Sequence, residues 1–153
     1  MKKRTLFLWI IPILLILNAF YHSSLPAVQS DGLSLPIASS IQSFIQNIFS
    51  IQLELDFYNF IIRKSAHFLE YAAIGFSFLF AFTVNSTKKY SPILFFVFLV
   101  PILDELIQSI TPGRSCQLSD MILDSFGILF GMLFLKLGHI LYQKLSSKKK
   151  HQI

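Results

Sequence analysis

The sequence has almost no cysteine, the residue that forms the disulfides of small secreted domains and binds metals in cysteine-rich sites. Cys116 is the only cysteine among 153 residues, which excludes an internal disulfide and a cysteine-rich metal site. Charged residues are also scarce, at 14% of the chain, whereas 54% of the residues are hydrophobic. This balance excludes an ordinary soluble globular domain, and the length allows one domain at most, spanning residues 1–153.

Acidic residues are fewer than basic ones. The chain has 8 Asp and Glu and 13 Lys and Arg, which gives a formal net charge of +5. Most basic residues lie in three places: Lys2, Lys3, Arg4; Lys88, Lys89; and Lys144, Lys148, Lys149, Lys150. The positive-inside rule makes these places cytoplasmic. The charge therefore indicates orientation and contact with anionic lipid, and we expect the lipid bilayer and no nucleic acid as a partner.

Four apolar stretches have the length of a membrane-spanning helix. They cover residues 5–21, 60–84, 91–110 and 120–142. Each is close to the roughly 20 residues that a helix needs to cross a hydrocarbon core of about 30 Å. The predicted fold is all-α, an integral membrane four-helix bundle in the plasma membrane, multi-pass, with both termini cytoplasmic and all eight acidic residues in the outer half.

The first outer loop is expected to open with a turn-rich piece containing Pro26, Asp31-Gly32 and Pro36. Residues 37–53 then repeat apolar side chains at helical spacing with Ser, Gln and Asn between them. This pattern predicts an extra amphipathic interfacial helix on the outer leaflet. It would act either as a lid over a polar site or as a spacer in the headgroup zone.

The second span carries four ionisable side chains near its outer end, Arg63, Lys64, His67 and Glu70. A helix turns 100° per residue, so Arg63, His67 and Glu70 fall within roughly 60° of one another. Charge inside an apolar span is costly unless it is paired or faces water. This polar stripe is therefore a candidate functional site, whereas the first span, which has no charge, is expected only to anchor and pack.

The third span places Asp104, Glu105 and Gln108 one turn beyond Pro101, which should kink the helix. The fourth span begins with Asp120 and Asp124, of which Asp120 is also placed to cap the helix. Short acidic side chains reach the membrane surface poorly, which favours an inward orientation of these carboxylates.

A turn and a glycine pair complete the pattern. Thr111-Pro112-Gly113-Arg114 has the order of a type II turn, which should aim Arg114 back over the bundle. Gly127-x-x-x-Gly131 predicts close packing of the fourth span against another helix, so that Asp124 points inward.

The candidate functional site thus has ten members. They are Arg63, Lys64, His67, Glu70, Asp104, Glu105, Gln108, Arg114, Asp120 and Asp124. With His67 neutral, three positive charges face five negative charges in this set. A proton, a metal ion or a cationic ligand group is needed to balance the excess, which indicates that the site binds something.

The same residues resemble the VanZ-like family of small bacterial membrane proteins. The resemblance covers about residues 61–131 and includes four motifs in order: Arg63-Lys64-x-x-His67-Phe68-x-Glu70-Tyr71; Asp104-Glu105-x-x-Gln108; Pro112-Gly113-Arg114; and Ser119-Asp120-x-x-x-Asp124-x-x-Gly127. Family members often have Asn at the position of Asp124, so this residue is a departure that adds negative charge. The resemblance implies action on a cell-envelope component and a contribution to resistance to the glycopeptide teicoplanin, with which the founding member is associated.

Two functions from different classes are compatible with the residues. The first is a non-enzymatic module in which Arg63, Lys64 and Arg114 bind an anionic headgroup of an envelope precursor or the glycopeptide itself. The second is an intramembrane enzyme that uses His67, Glu70 and the Asp104-Glu105 pair for metal binding or for acid–base chemistry on a lipid-linked substrate. No His-Glu-x-x-His motif is present, so a binder is favoured over an enzyme, and no metal or cofactor is assigned. An ion-pair network that only stabilises the bundle is the structural alternative, and the oligomeric state is not predicted.

Overall fold

The structure is a computed structural model that describes residues 7–84 and 91–150, including the side chains of all of these except residues 91–94 and 148–150. A short 3₁₀ turn, Phe7–Trp9, precedes five helices. These are α1 (Ile10–Ser23), α2 (Ala27–Phe49), α3 (Leu55–Val84), α4 (Ser91–Ser109) and α5 (Leu118–Lys150). These two ranges contain no strand, so the predicted all-α class is confirmed.

Two of the described helices are long and apolar enough to cross a membrane, Leu55–Val84 and Leu118–Ser147. Phe7–Ser23 and Ala27–Phe49 meet the same criterion only when taken together, and they are bent by 103° at the break between them. The arrangement with four spans therefore stays a prediction. The predicted orientation depends in part on the basic residues Lys2, Lys3, Arg4, Lys88 and Lys89, which lie outside the described residues, as do residues 5 and 6 of the first predicted span.

The prediction for the first outer loop was wrong in its boundaries. Asp31-Gly32 and Pro36 do not form turns but lie inside α2, which begins directly after Pro26 and ends at Phe49 instead of residue 53. Pro36 has no amide hydrogen to donate to the carbonyl of Gly32, so the helix continues past it without that hydrogen bond. Ser50 ends the helix in a left-handed conformation, with φ 55°.

α3 and α5 form the closest helix pair, and glycines allow their backbones to meet. A Cβ atom at Gly131 would lie 1.8 Å from the carbonyl oxygen of Ala72, and a Cβ atom at Gly75 would lie 2.1 Å from that of Ile128. Gly127 similarly faces the carbonyl of Phe68. The close packing predicted from Gly127-x-x-x-Gly131 is thus confirmed, and α3 is the partner helix.

Apolar side chains fill the centre of the bundle beside this contact. Tyr71 and Ile74 of α3, Val97 and Val100 of α4 and Ile128 of α5 are buried against one another. Ala19 joins this core from α1. The four helices α1, α3, α4 and α5 are therefore held in a fixed arrangement at the level of residue 71, next to Glu70 and one turn from His67.

The turn between α4 and α5 has the predicted form. The amide of Arg114 donates to the carbonyl of Thr111 at 3.1 Å, and Gly113 has φ 75°, as the third residue of a type II turn requires. The carbonyl of Pro112 accepts a hydrogen bond from the amide of Ala27 at 3.1 Å, which attaches the turn to the start of α2. This attachment fixes the position of Arg114 relative to α1 and α2.

Candidate functional site

Polar residues from six segments meet at one end of the helices. They come from the end of α1, the second turn of α2, the first half of α3, the end of α4, the turn after it and the first turns of α5. A cavity of about 440 Å³ opens there. Six of the ten predicted site residues line it: Arg63, Lys64, His67, Gln108, Arg114 and Asp120.

Two of the basic side chains at this cavity have carboxylate partners. Nη1 of Arg63 donates to Oδ1 of Asp31 at 2.7 Å, and both side chains are about one third exposed, at 33% and 35%. Nζ of Lys64 donates to Oδ1 of Asp120 and also lies 5.3 Å from the centroid of the Phe60 ring. Both ion pairs border the cavity, so their charges remain accessible from it.

Arg114 is the third basic residue, and it has no ion pair among the described residues. Its Nη2 donates to the backbone carbonyl of His22 at 3.1 Å, whereas its Nε is buried without a hydrogen-bond partner. Burial, followed by the nearby guanidinium of Arg63, lowers the pKa of Arg114. An arginine nevertheless stays charged in proteins. Two guanidinium groups therefore repel each other across a cavity that both of them line.

Asp104 lies behind the cavity, fully buried at 0% exposure. Its Oδ2 accepts hydrogen bonds from the hydroxyl of Ser23 at 2.8 Å and from Nε2 of Gln108 at 2.9 Å, whereas its Oδ1 has no partner. Thr111 extends this network by donating to the carbonyl of Ser23 at 3.2 Å. These contacts fix the orientation of the Asp104 carboxyl group.

Asp124 is also 0% exposed, and neither of its side-chain oxygens has a hydrogen-bond partner. The nearest basic atom is Nδ1 of His67, which lies 3.9 Å from Oδ1 of Asp124, too far for a hydrogen bond. His67, Asp104 and Asp124 each offer one potential ligand atom, and these three atoms lie within 4.8 Å of one another. This is the one group in the described part of the chain that could hold a metal ion.

The remaining two predicted residues do not line this cavity. Oε1 of Glu70 accepts a hydrogen bond from Asn18 at 2.8 Å, and Glu70 lines a second cavity, of about 450 Å³, between α1, α2 and α3. Oε2 of Glu105 accepts a hydrogen bond from the amide of Gln117 at 2.7 Å and thereby fixes the loop before α5. Glu105 therefore holds the loop before α5, and Glu70 lies beside the second cavity.

Sequence reasoning missed the uncharged partners in α1 and one carboxylate in α2. Asn18 belongs to the predicted span 5–21, which was expected only to anchor, yet it binds Glu70. Ser23 was placed in the outer loop that follows this span, yet it lies in α1 and binds Asp104. Asp31 was assigned to a turn, yet it pairs with Arg63 from the second turn of α2. A polar residue near the outer end of an otherwise apolar span was the available signal for Asn18.

The fold and site define a class of protein: an all-helical protein with helices that could span a membrane and a charged cavity at one end of them. A family model described as VanZ/LLP1 matches residues 7–141, which is most of the chain. The chain therefore belongs to the VanZ family, a family of membrane proteins. No curated protein and no solved structure matches it significantly.

Proposed function

We propose that this protein is a multi-pass membrane protein whose outer cavity binds the anionic headgroup of a cell-envelope lipid. In this proposal α1, α3, α4 and α5 supply the four spans of the bundle, the termini are cytoplasmic and α2 lies in the outer headgroup zone. The consequence in the cell is a contribution to glycopeptide resistance, because such antibiotics act on envelope precursors outside the membrane. The proposal describes a binder and not an enzyme.

The observation that carries the proposal is the arrangement of the three basic side chains. Arg63, Lys64 and Arg114 line one cavity, although they come from two different segments of the chain. Guanidinium groups bind phosphate and carboxylate through parallel hydrogen bonds. An anion between Arg63 and Arg114 would accept hydrogen bonds from both guanidinium groups, and the Nε of Arg114 has no hydrogen-bond partner among the described residues.

The second cavity favours a lipid over a free anion. It shares Arg63, His67 and Arg114 with the first cavity, but its other walls include the apolar side chains of Leu15, Leu33, Ile37 and Ile62. A ligand with a charged head and an apolar chain would match this change from polar to apolar surroundings. The exposed apolar face of α2, which includes Ile37, Ile41, Phe44 and Ile48, continues the apolar surface.

A binding experiment tests this chemistry directly. The purified full chain in detergent is offered a polyprenyl phosphate or the corresponding polyprenol, and retention is measured by native mass spectrometry. We expect the phosphate to be retained at least about tenfold better, and Arg114→Gln and Arg63→Gln each to abolish most of this difference. Lys144→Gln, at an exposed basic residue of α5 outside the cavity, is the matched control and should bind as the wild type does.

Equal retention of the phosphate and the alcohol by the wild type would contradict the proposal. So would unchanged phosphate binding by both arginine variants. Inorganic phosphate is added as a competitor in a further arm. Competition at low millimolar concentration would show that the site binds free phosphate and that the apolar chain is not needed.

The role in the cell is tested by measuring susceptibility to teicoplanin and to vancomycin. Cells carry the wild type, Arg63→Ala, Glu70→Gln or Asp104→Asn, with membrane insertion verified for each variant and Lys144→Gln as control. We expect any protection that the wild type gives against teicoplanin to be lost in the three site variants. Normal resistance from all three correctly inserted variants would contradict a functional site.

One observation favours the alternative of an intramembrane enzyme that acts on a lipid-linked envelope substrate. His67 lines the cavity and also lies beside the buried carboxyl groups of Asp104 and Asp124. An imidazole between buried carboxylates and a ligand cavity is suited to move a proton or to hold a metal. Turnover of the bound lipid by the wild type, lost in His67→Gln, would identify the protein as an enzyme.

A further inference from the structure

We infer that His67, Asp104 and Asp124 form a binding site for a divalent transition-metal ion of the Zn²⁺ type. The three side chains come from α3, α4 and α5, and their potential ligand atoms lie within 4.8 Å of one another. Metal–ligand bonds of about 2.0–2.2 Å at the tetrahedral angle put two ligand atoms about 3.3–3.6 Å apart. The group is therefore more open than a filled site, and the side chains must move inward to close it.

The unpartnered oxygens are an independent indication of a ligand. Asp124 is 0% exposed and neither of its oxygens has a hydrogen-bond partner, and Oδ1 of the equally buried Asp104 also has none. Buried carboxyl groups normally have partners, because burial without one costs several kcal/mol. Three free oxygens on two neighbouring buried groups are available to coordinate an ion.

The basic residues of the site cannot replace such an ion. Lys64 is paired with Asp120, and Arg63 is paired with Asp31. Arg114 directs its Nη2 to the carbonyl of His22. Asp104 and Asp124 are left without a cationic partner at ion-pair distance, apart from the imidazole of His67 at 3.9 Å from Asp124. A divalent cation would balance both carboxylates at once.

The surroundings of Asp104 match those of a metal ligand. Ser23 and Gln108 both donate to its Oδ2, which leaves Oδ1 free. Carboxylate ligands of metals are commonly held by such outer hydrogen bonds, which orient the coordinating oxygen. The contacts of Ser23 and Gln108 therefore have a use beyond helix packing.

The donor set selects the class of metal. One imidazole and two carboxylates suit Zn²⁺ or Mn²⁺, whereas Ca²⁺ and Mg²⁺ prefer oxygen ligands alone. Three protein ligands leave at least one position of a tetrahedral ion open, as in catalytic zinc sites. Because His67 also lines the cavity, an ion held by this side chain would lie beside the space proposed for the anionic headgroup.

Metal content is the first test, and it does not depend on any lipid. The purified full chain in detergent is equilibrated with Zn²⁺, Mn²⁺, Mg²⁺ or Ca²⁺, passed through a desalting column and analysed by mass spectrometry of the metals. We expect about one equivalent of Zn²⁺ per chain in the wild type, and binding at least about tenfold weaker in Asp104→Asn and Asp124→Asn. Asp56→Asn is the matched control, since this exposed carboxylate lines the same cavity but lies outside the cluster.

A spectroscopic test uses Mn²⁺ bound to the wild type, and its first measurement needs no variant. Pulsed electron paramagnetic resonance should detect the nitrogen of one coordinated imidazole. The signal should disappear in His67→Gln and persist in His139→Gln, which changes an exposed histidine of α5.

The inference is overturned if the wild type retains no metal, if it binds Mn²⁺ without a nitrogen coupling, or if the Asp104 and Asp124 variants retain metal as Asp56→Asn does. These outcomes leave lipid binding by Arg63 and Arg114 unaffected. Loss of lipid discrimination with retained metal would conversely remove the proposed function alone.

Discussion

Ser23 shows how one small side chain supports the site from a distance of 81 residues along the chain. Its hydroxyl donates to Oδ2 of the buried Asp104 at 2.8 Å, and its backbone carbonyl accepts from Thr111. Hydrogen bonds to charged groups contribute more than neutral ones, although measured values between membrane helices are smaller than expected. We therefore expect Ser23→Ala to lower the free energy of unfolding by about 1–2 kcal/mol.

The measurement is unfolding in mixed micelles by increasing the fraction of a denaturing detergent. Ser24→Ala is the matched control, because Ser24 directly follows α1 and its exposed hydroxyl donates only to the carbonyl of Tyr21, three residues earlier. This control should change the free energy of unfolding by less than about 0.5 kcal/mol. Equal effects of the two substitutions would show that the contact with Asp104 is not stabilising.

Most ionisable residues of the candidate site and Gln108 were predictable, whereas the partners in α1 and α2 were not. Charge within an apolar run is rare and therefore informative, which is why Arg63, Asp104 and Asp124 stood out. Serine and asparagine are common in such runs, and their spacing along α1 does not specify the distant residue that each contacts. Asn18 pairs with Glu70, which is 52 residues away.

At the scale of helices, the contact between α3 and α5 depends on glycine at position 131. A Cβ atom there would lie 1.8 Å from the carbonyl oxygen of Ala72 and 2.9 Å from the amide nitrogen of Phe76, and both are backbone atoms that cannot rotate away. Gly131→Ala should therefore separate the helices locally and destabilise the protein by about 1–3 kcal/mol.

Gly138→Ala is the control for this substitution, because no atom lies within 4 Å of a Cβ atom at Gly138. Alanine is the better helix former by about 1 kcal/mol, so the control should be neutral or slightly stabilising. The same detergent titration measures both variants. A neutral Gly131→Ala would indicate that α3 and α5 are not as close as the structure shows.

Helix existence was easier to predict from this sequence than helix boundaries. The three later helices were predicted to begin within five residues of where they do, because an apolar run of membrane length has few alternatives. For α2, proline, glycine and aspartate indicated turns over residues 26–36, yet that segment is helical from Ala27. Contact with α3, through hydrogen bonds from Ser34 and Arg63, outweighs the weak helical preference of these residues.

At the scale of the whole molecule, the site depends on four helices that each have one end at the same level. α1 and α4 end at this level, whereas α3 and α5 begin there. The loop after α4 therefore lies beside the beginning of α3. The position of the polar residues along each predicted span was enough to predict that they lie at one level of the bundle. The pairing of Arg114 with the end of α1 could not be predicted, because it depends on how α1 and the loop are placed in space.

The proposed orientation puts this level outside the cytoplasmic membrane, and Cys116 can report on it without any added cysteine. It is the only cysteine of the chain and lies exposed in the loop between α4 and α5. A membrane-impermeant maleimide should label it in intact cells once any outer barrier is opened. A double variant, Cys116→Ser with Ser147→Cys, moves the thiol to the far end of α5 and should react only after the membrane is permeabilised.

The rate of labelling relative to that of a free cysteine at the same pH distinguishes a native loop from a disordered one. Desolvation and the neighbouring Glu105 carboxylate raise the pKa of the Cys116 thiol above its usual value. The thiolate is the reacting form, so the rate at Cys116 should rise about tenfold from pH 7 to pH 8 while remaining below that of a free cysteine. Glu105→Gln removes the negative charge and should increase the rate at both pH values.

Protection of Cys116 in intact cells, with ready labelling at position 147, would show that the orientation is the reverse of the proposed one. The charged cavity would then lie on the cytoplasmic side, where it could not meet an outer-leaflet lipid headgroup.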